Sequence, residues 1–223
     1  MSQPAEGGAN SPAPVSNWNV PNALTTLRIV MVPFFGWALL HDGGQDVTWR
    51  WVAWGLFCLA MITDKIDGDL ARKHNLVTDF GKIADPIADK AITGMAFIGL
   101  AIIADFLPAW LWWTITVVVL LREWAVTIAR LSIAKDVVMP AKQSGKVKTT
   151  LQAISLGGFI APFGLLTGPF EVVGDVLWWL SAVCLAGAVV LTVTSGLEFA
   201  RDVVRHRSGR VAATAAAEDT AQR

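Results

Sequence analysis

The sequence predicts an all-α integral membrane protein, one bundle of six transmembrane helices with both termini in the cytoplasm. Three observations predict it. Mean hydropathy is +0.51, with 54% of residues apolar and 16% charged, where soluble domains carry about 25% charged residues. Six apolar stretches approach or exceed the roughly 20 residues that cross a bilayer. Basic residues and tryptophans alternate between opposite ends of those stretches, as they do across the two faces of a membrane.

In chain order, residues 1–17 are polar and rich in Pro, Ala and Gly, so a disordered tail is expected. They lack the cationic start and apolar run of a signal peptide. A single membrane domain is expected over 18–206, with no repeat or internal boundary. Its spans are read at 23–40, 50–64 running on toward 73, 84–104, 107–133, 147–167 and 175–200. Pro33 is expected to kink the first. A polar, Ala-rich segment, 207–223, is read as a second disordered tail. Cys58 and Cys184 lie inside apolar segments and read as small buried hydrophobes rather than a disulfide.

Orientation follows from charge. Lys65, Arg72, Lys73 and Lys82 follow the second span; Arg130, Lys135, Lys142, Lys146 and Lys148 lie between the fourth and fifth; Arg201, Arg205, Arg207 and Arg210 follow the sixth. The alternate connections hold almost none: Arg50 is alone in 41–50, and 105–109 and 167–175 lack Lys and Arg. Basic loops stay inside, so both termini are placed in the cytoplasm. Trp49, Trp51, Trp54, Trp110, Trp112, Trp113, Trp178 and Trp179 fall at the opposite ends, where an aromatic belt is expected. The formal net charge of zero says little, because what matters is where the charges fall; no nucleic-acid partner is expected.

Four carboxylates stand out against this apolar background. Asp64 and Asp67 are spaced i, i+3, and Asp85 and Asp89 i, i+4, so each pair shares a helix face. Carboxylates at membrane depth are tolerated mainly where they bind ions, relay protons or face a polar cavity. Four converging near one membrane surface repel one another unless cations neutralise them, which points to a site for two divalent metals. Magnesium, a hard cation, prefers such oxygen donors, although carboxylates alone do not separate it from manganese.

The order D-x-x-D-G-x-x-A-R, eight residues, G-x-x-x-D-x-x-x-D resembles the signature of the CDP-alcohol phosphotransferase family. Here it is complete at Asp64, Asp67, Gly68, Ala71, Arg72, Gly81, Asp85 and Asp89. Asn19 to Pro33 (NVPNALTTLRIVMVP), LREWAVTIAR and SGKVKTT are similar to the bacterial branch of that family that uses glycerol 3-phosphate. The two tails fall outside the resemblance.

The resemblance implies transfer of a phosphatidyl group from CDP-diacylglycerol to an alcohol, with release of CMP. It implies a bacterial plasma-membrane enzyme, multi-pass, with a polar cavity open to the cytoplasm and to lipid, and a homodimeric assembly. Asp64, Asp67, Asp85 and Asp89 then hold two magnesium ions, and Asp89 is also the base that takes the proton of the attacking hydroxyl. Gly68, Ala71, Arg72 and Gly81 contact CDP-diacylglycerol: small residues let the cytidine pack closely, and Arg72 offers a fork of donors to phosphate. A plainer reading of Asp85-Pro86 is a helix cap with proline at the first position.

For the acceptor, Arg122 and Arg130 lie eight residues apart on the fourth span, nearly on one face, and Lys146 and Lys148 begin the fifth. Together they are candidates for a pocket binding the phosphate of glycerol 3-phosphate. Arg130, Lys146 and Lys148 equally fit ordinary basic residues that snorkel to lipid headgroups, and Glu123 fits a buried partner of Arg122. Arg28, Asn22 and Thr25 resemble a family segment near the nucleotide, or Arg28 anchors its helix at the headgroups. His74, Asp69 and Asp79 read as loop, surface and turn residues. Other acceptors within the family are inositol 1-phosphate, serine or phosphatidylglycerol. From another class, a divalent-cation transporter places acidic residues in membranes, usually near the midplane.

Overall fold

The computed structural model describes residues 19–73, 78–103, 107–133, 143–165 and 168–221, and the expected N-terminal tail lies outside them. Within them run six long helices: α1 (Val20–Leu40), α2 (Val47–Lys73), α3 (Asp79–Ile103), α4 (Ala109–Ile133), α5 (Gln143–Ile160) and α6 (Glu171–Ala221).

Local chemistry sets the helix starts. Asn19 caps α1, its side chain accepting from the Asn22 N–H at 2.9 Å, and Pro21 lies in the first turn, where its missing donor costs nothing. Asp46 accepts from the N–H groups of Thr48 (2.8 Å) and Trp49 (3.1 Å) at the start of α2. Thr78 does the same for α3, taking the Gly81 N–H at 3.0 Å. That cap corrects two expectations at once. The third helix begins five residues before position 84, and Asp85 sits inside it rather than capping it, which leaves its carboxylate for other use. Asp79 is the first helical residue, not a turn residue.

Between α1 and α2 the chain reverses through Asp42, Gly43 and Gly44, all at positive φ. At Gly44 (φ +77°) a side chain would also meet Ile103 at 2.7 Å, so both backbone and packing require glycine. α1 continues through Pro33 to Leu40. α5 ends at Ile160 rather than 167, because Pro162 follows and starts a short 3-10 turn. α6 runs from Glu171 to Ala221, and the Ala-rich run 212–217 is strongly helix-forming.

α1 packs against α2 and α3, α3 against α4, and α5 against α6, while α4 reaches α6 and both α2 and α3 touch α5. All six contribute to one core that includes Phe35, Phe57, Phe97, Trp112, Leu156 and Leu185. The α5–α6 approach depends on a missing side chain, since a Cβ on Gly158 would fall 1.8 Å from Ser181 Oγ, the small-residue contact usual between membrane helices. At the end opposite the carboxylates, Arg50 binds α2 to α5. It donates to the carbonyls of Ile160 (2.8 Å) and Phe159 (2.5 Å), and to that of Gly44 at 3.1 Å.

The distribution of polarity is reversed from that of a soluble protein. Arg28, Asp67, Glu123 and Lys148 are buried, while Val30, Leu121, Val172, Val176, Trp179 and Val183 are exposed, as suits a molecule whose solvent is lipid. Four segments, Val20–Gly44, Phe80–Ile103, Ala109–Ala129 and Glu171–Glu198, are long and apolar enough to cross a membrane. α2, with its charged last turns, and α5, polar in its first, are not among them. Trp51, Trp110, Trp113 and Trp179 are exposed as a belt requires, but Trp112 is fully buried in the core, edge-on to Phe159. Cys58 and Cys184 are free thiols.

Candidate active site

The chemistry gathers where α1, α3 and α5 begin and α2 ends. Arg28, just over two turns into α1, is 1% exposed and bridges the two α2 carboxylates. Its Nη1 donates to Asp64 Oδ1 at 2.8 Å and its Nη2 to Asp67 Oδ2 at 2.6 Å. One turn earlier on the same face, Thr25 donates to Asp85 Oδ1 at 2.5 Å. Asn22 Nδ2 donates to Thr78 Oγ1 at 2.9 Å, tying α1 to the cap of α3. Asn22, Thr25 and Arg28 thus form one stripe, spaced i, i+3, i+6, against which α2 and α3 set their acidic faces. The headgroup-anchor reading of Arg28 is excluded by its burial.

Gly81 explains how close that approach is. A Cβ there would lie 3.0 Å from Asn22 Oδ1 and 3.7 Å from Asp85 Oδ2, so any larger residue pushes α1 from α3. Gly68 is half-buried next to Asp67 on α2. The side chains of Ala71, Arg72 and Arg130 lie outside the described residues, as does His74.

Asp67, Asp85 and Asp89 each act electrostatically on Asp64. Among the described residues, however, no three carboxylate, imidazole or thiol groups close into a ready ligand cluster. Arg28 instead takes the place of a cation between Asp64 and Asp67. The donor set still fits hard divalent ions. The side-chain bonds described engage one oxygen on each of Asp64, Asp67, Asp85 and Asp89, and carboxylate oxygens are the donors such ions prefer. Among the described residues Arg28 Nε is buried without a partner, a cationic donor suited to a phosphate oxygen beside such ions.

A second charged cluster adjoins the first. Glu123 on α4 is 4% exposed. Its Oε2 accepts from Lys90 Nζ at 2.7 Å, and its Oε1 accepts from Lys148 Nζ and from Arg122 Nη1, the latter at 3.2 Å. Arg122 Nη2 also donates to Ser195 on α6 at 2.8 Å, and Gly196 leaves room for the arginine, since a Cβ there would meet its Cγ at 3.2 Å. Lys90 joins the two clusters by a second bond, to Asp89 Oδ2 at 3.0 Å.

Of the expected acceptor residues, the fold brings together Arg122 and Lys148. Lys146 is exposed: two positions apart on a helix, it and Lys148 face different sides. Glu123 pairs with Arg122 as expected, and takes two lysines besides. Lys90, Thr78 and Ser195 were not legible as site residues. Lys90 directly follows the last aspartate of the motif, about 100° away around the helix, and its partner Glu123 is 33 positions further on.

Comparison with known proteins places the chain in a family. The family model for CDP-alcohol phosphatidyltransferase matches residues 18–194. A probable phosphatidylglycerophosphate synthase of Mycobacterium tuberculosis (strain H37Rv) is 43% identical over 191 residues, covering 86% of this chain and 84% of the relative. A CDP-diacylglycerol–glycerol-3-phosphate 3-phosphatidyltransferase of Bacillus subtilis (strain 168) is 36% identical over 195 residues, 82% of this chain and 93% of the relative. An enzyme of the same name from Rickettsia prowazekii is 35% identical over 188 residues, covering 81% and 93%. The chain belongs to the CDP-alcohol phosphatidyltransferase family.

Proposed function

We propose that this CDP-alcohol phosphatidyltransferase moves the phosphatidyl group of CDP-diacylglycerol to glycerol 3-phosphate, giving phosphatidylglycerophosphate and CMP. The observation that carries the reading is the junction of two oppositely charged clusters at Asp89–Lys90. One is rich in carboxylates and suits a diphosphate with its cations; the other is rich in cations and suits an acceptor's phosphate. The relatives named for this reaction, 32–43% identical over most of their length, support it.

Two divalent ions, magnesium by preference, held by Asp64, Asp67, Asp85 and Asp89, supply neutralisation of the diphosphate and of the leaving CMP phosphate. The chain's own residues do the rest. Arg28 holds Asp64 and Asp67 in place and offers Nε to the donor. Gly68, Ala71, Arg72 and Gly81 line the cytidine and phosphate side. Arg122 and Lys148 bind the acceptor phosphate and so present its terminal hydroxyl to Asp89, which takes the proton. The hydroxyl oxygen bonds to the lipid-side phosphorus as the bond from that phosphorus to the CMP oxygen breaks. Holding both partners in this geometry removes much of the entropy cost of the encounter.

All six helices span the bilayer in this reading, with both termini and the site on the cytoplasmic face and the donor's acyl chains left in lipid. The resemblance further implies a homodimer, checked by cross-linking in native membranes. The decisive experiment is CMP release by purified protein with CDP-diacylglycerol and magnesium, each acceptor supplied separately. Release with glycerol 3-phosphate alone is expected. Release only with inositol 1-phosphate, serine or phosphatidylglycerol would overturn the acceptor, and silence with every acceptor the whole reading.

A further inference from the structure

We infer that Glu123 and Lys90 are positioning residues that link the acceptor-phosphate site to Asp89, so that one buried carboxylate sets both the phosphate's cations and the carboxylate that receives the proton. The inference rests on the activity proposed above. Its physical basis is the division of labour between the two oxygens of Glu123. Oε1 accepts from Lys148 and Arg122, and Oε2 from Lys90. Lys90 in turn holds Asp89 by Oδ2, leaving Oδ1 for a substrate hydroxyl.

Three cations surround Glu123, and the side chains of Lys90, Arg122 and Lys148 are 14%, 17% and 3% exposed. Asp89 shares Lys90, and among the bonds described the one carboxylate of Glu123 then faces both Arg122 and Lys148, a positive excess that is unfavourable to bury. Among the described residues Arg122 Nε is moreover buried without a partner. A phosphate dianion entering at Lys148 and Arg122 meets both deficits, and it competes with Glu123 for Oε1's donors only. The Oε2–Lys90–Asp89 arm is untouched by that exchange. It holds a long, flexible lysine, which has much rotamer freedom when free, in one conformation against Asp89.

Four variants test this by steady-state kinetics in detergent–lipid micelles: Lys90→Met, Lys90→Arg, Glu123→Gln, and Lys90→Met combined with Glu123→Gln. Lys90→Met is expected to lower kcat on the order of 10- to 100-fold, the usual loss when a group orienting a site ligand is removed, with KM for CDP-diacylglycerol unchanged. Lys90→Arg, which keeps the charge and reach, is expected to recover most of kcat. Glu123→Gln is expected to lower kcat similarly and also to raise KM for glycerol 3-phosphate. Because Glu123 acts on kcat through Lys90, the double variant should lose no more kcat than the worse single one. Multiplicative losses, or a wild-type kcat in Lys90→Met, would overturn the inference. Should Lys90→Met fail to fold, Lys90→Gln against Lys90→Arg gives the same comparison. An inactive wild type with glycerol 3-phosphate would instead overturn the activity itself.

Discussion

Two charged clusters share one end of this molecule and are unbalanced in opposite directions. Around Arg28, two carboxylates share one guanidinium, and Asp85 and Asp89 of α3 act on Asp64 besides. Around Glu123, three cations face one carboxylate. Both are built from helices whose outer faces are Val, Leu, Ile and Trp, and neither balances its charge within itself. Fold stability alone would select matched pairs or apolar replacements, since buried ion pairs contribute little net stability. A mismatch of opposite sign in neighbouring clusters is therefore better explained by what each receives: cations with a diphosphate in one, a phosphate monoester in the other.

The largest expected effect breaks the acidic side. Asp64→Asn or Asp89→Asn should reduce CMP release by about a hundred- to a thousandfold or more, the scale of losing a charge-stabilising group at a reacting centre, while circular dichroism shows the helices intact. Near-normal turnover in both variants would remove the acidic cluster from the chemistry. Next comes Arg28→Met, which leaves Asp67 buried and unpaired at a cost of about 3–5 kcal/mol. Its melting temperature in chelator should fall well below wild type, and added magnesium should recover more of it than in wild type. An equal magnesium response in both would mean that Arg28 and the ions do not share the same carboxylates.

On the cationic side, Arg122→Gln should raise KM for glycerol 3-phosphate about 10- to 100-fold, equivalent to one charged hydrogen bond at 1.5–3 kcal/mol. KM for CDP-diacylglycerol should stay fixed, and a rise in both constants would show general damage instead. Arg50 is the control at the far end. Arg50→Met frees the carbonyls that hold α2 to α5 and should cost about 1–3 kcal/mol of stability, read by thermal melts, with both KM values unchanged. The smallest effect belongs to Lys146→Met. Because Lys146 is exposed and Lys148 is buried, activity should change by no more than about twofold, within the spread of an exposed ion pair.

Legibility in the sequence followed the range of the interaction. The spacing of Asp64 with Asp67 and of Asp85 with Asp89 is local, so periodicity alone put each pair on one face. Thr78 was missed as the α3 cap because the next residues up to Pro86 look loop-like without α1 packed on Gly81. Arg28 was ambiguous for a similar reason: one apolar helix carrying one arginine fits a headgroup anchor until α2 lies against it. The acceptor group was half legible. Arg122 is a lone charge in an apolar run, whereas Lys146 and Lys148 look alike until the phase of α5 about its axis buries one and exposes the other.

By itself the sequence determined the all-helical, apolar-surfaced class, the six helices and the acidic signature, since hydropathy, helical periodicity and motif spacing are properties of neighbouring residues. The tertiary structure alone decided that Arg28 neutralises Asp64 and Asp67, that Lys90 turns from Asp89 to Glu123, and that Glu123 gathers Arg122 and Lys148. Apart from the adjacent pairs Lys90–Asp89 and Arg122–Glu123, those contacts join positions 25 to 39 residues apart. Where charges meet across helices depends on the rotation and depth of each helix in the packed core, and no local pattern encodes that.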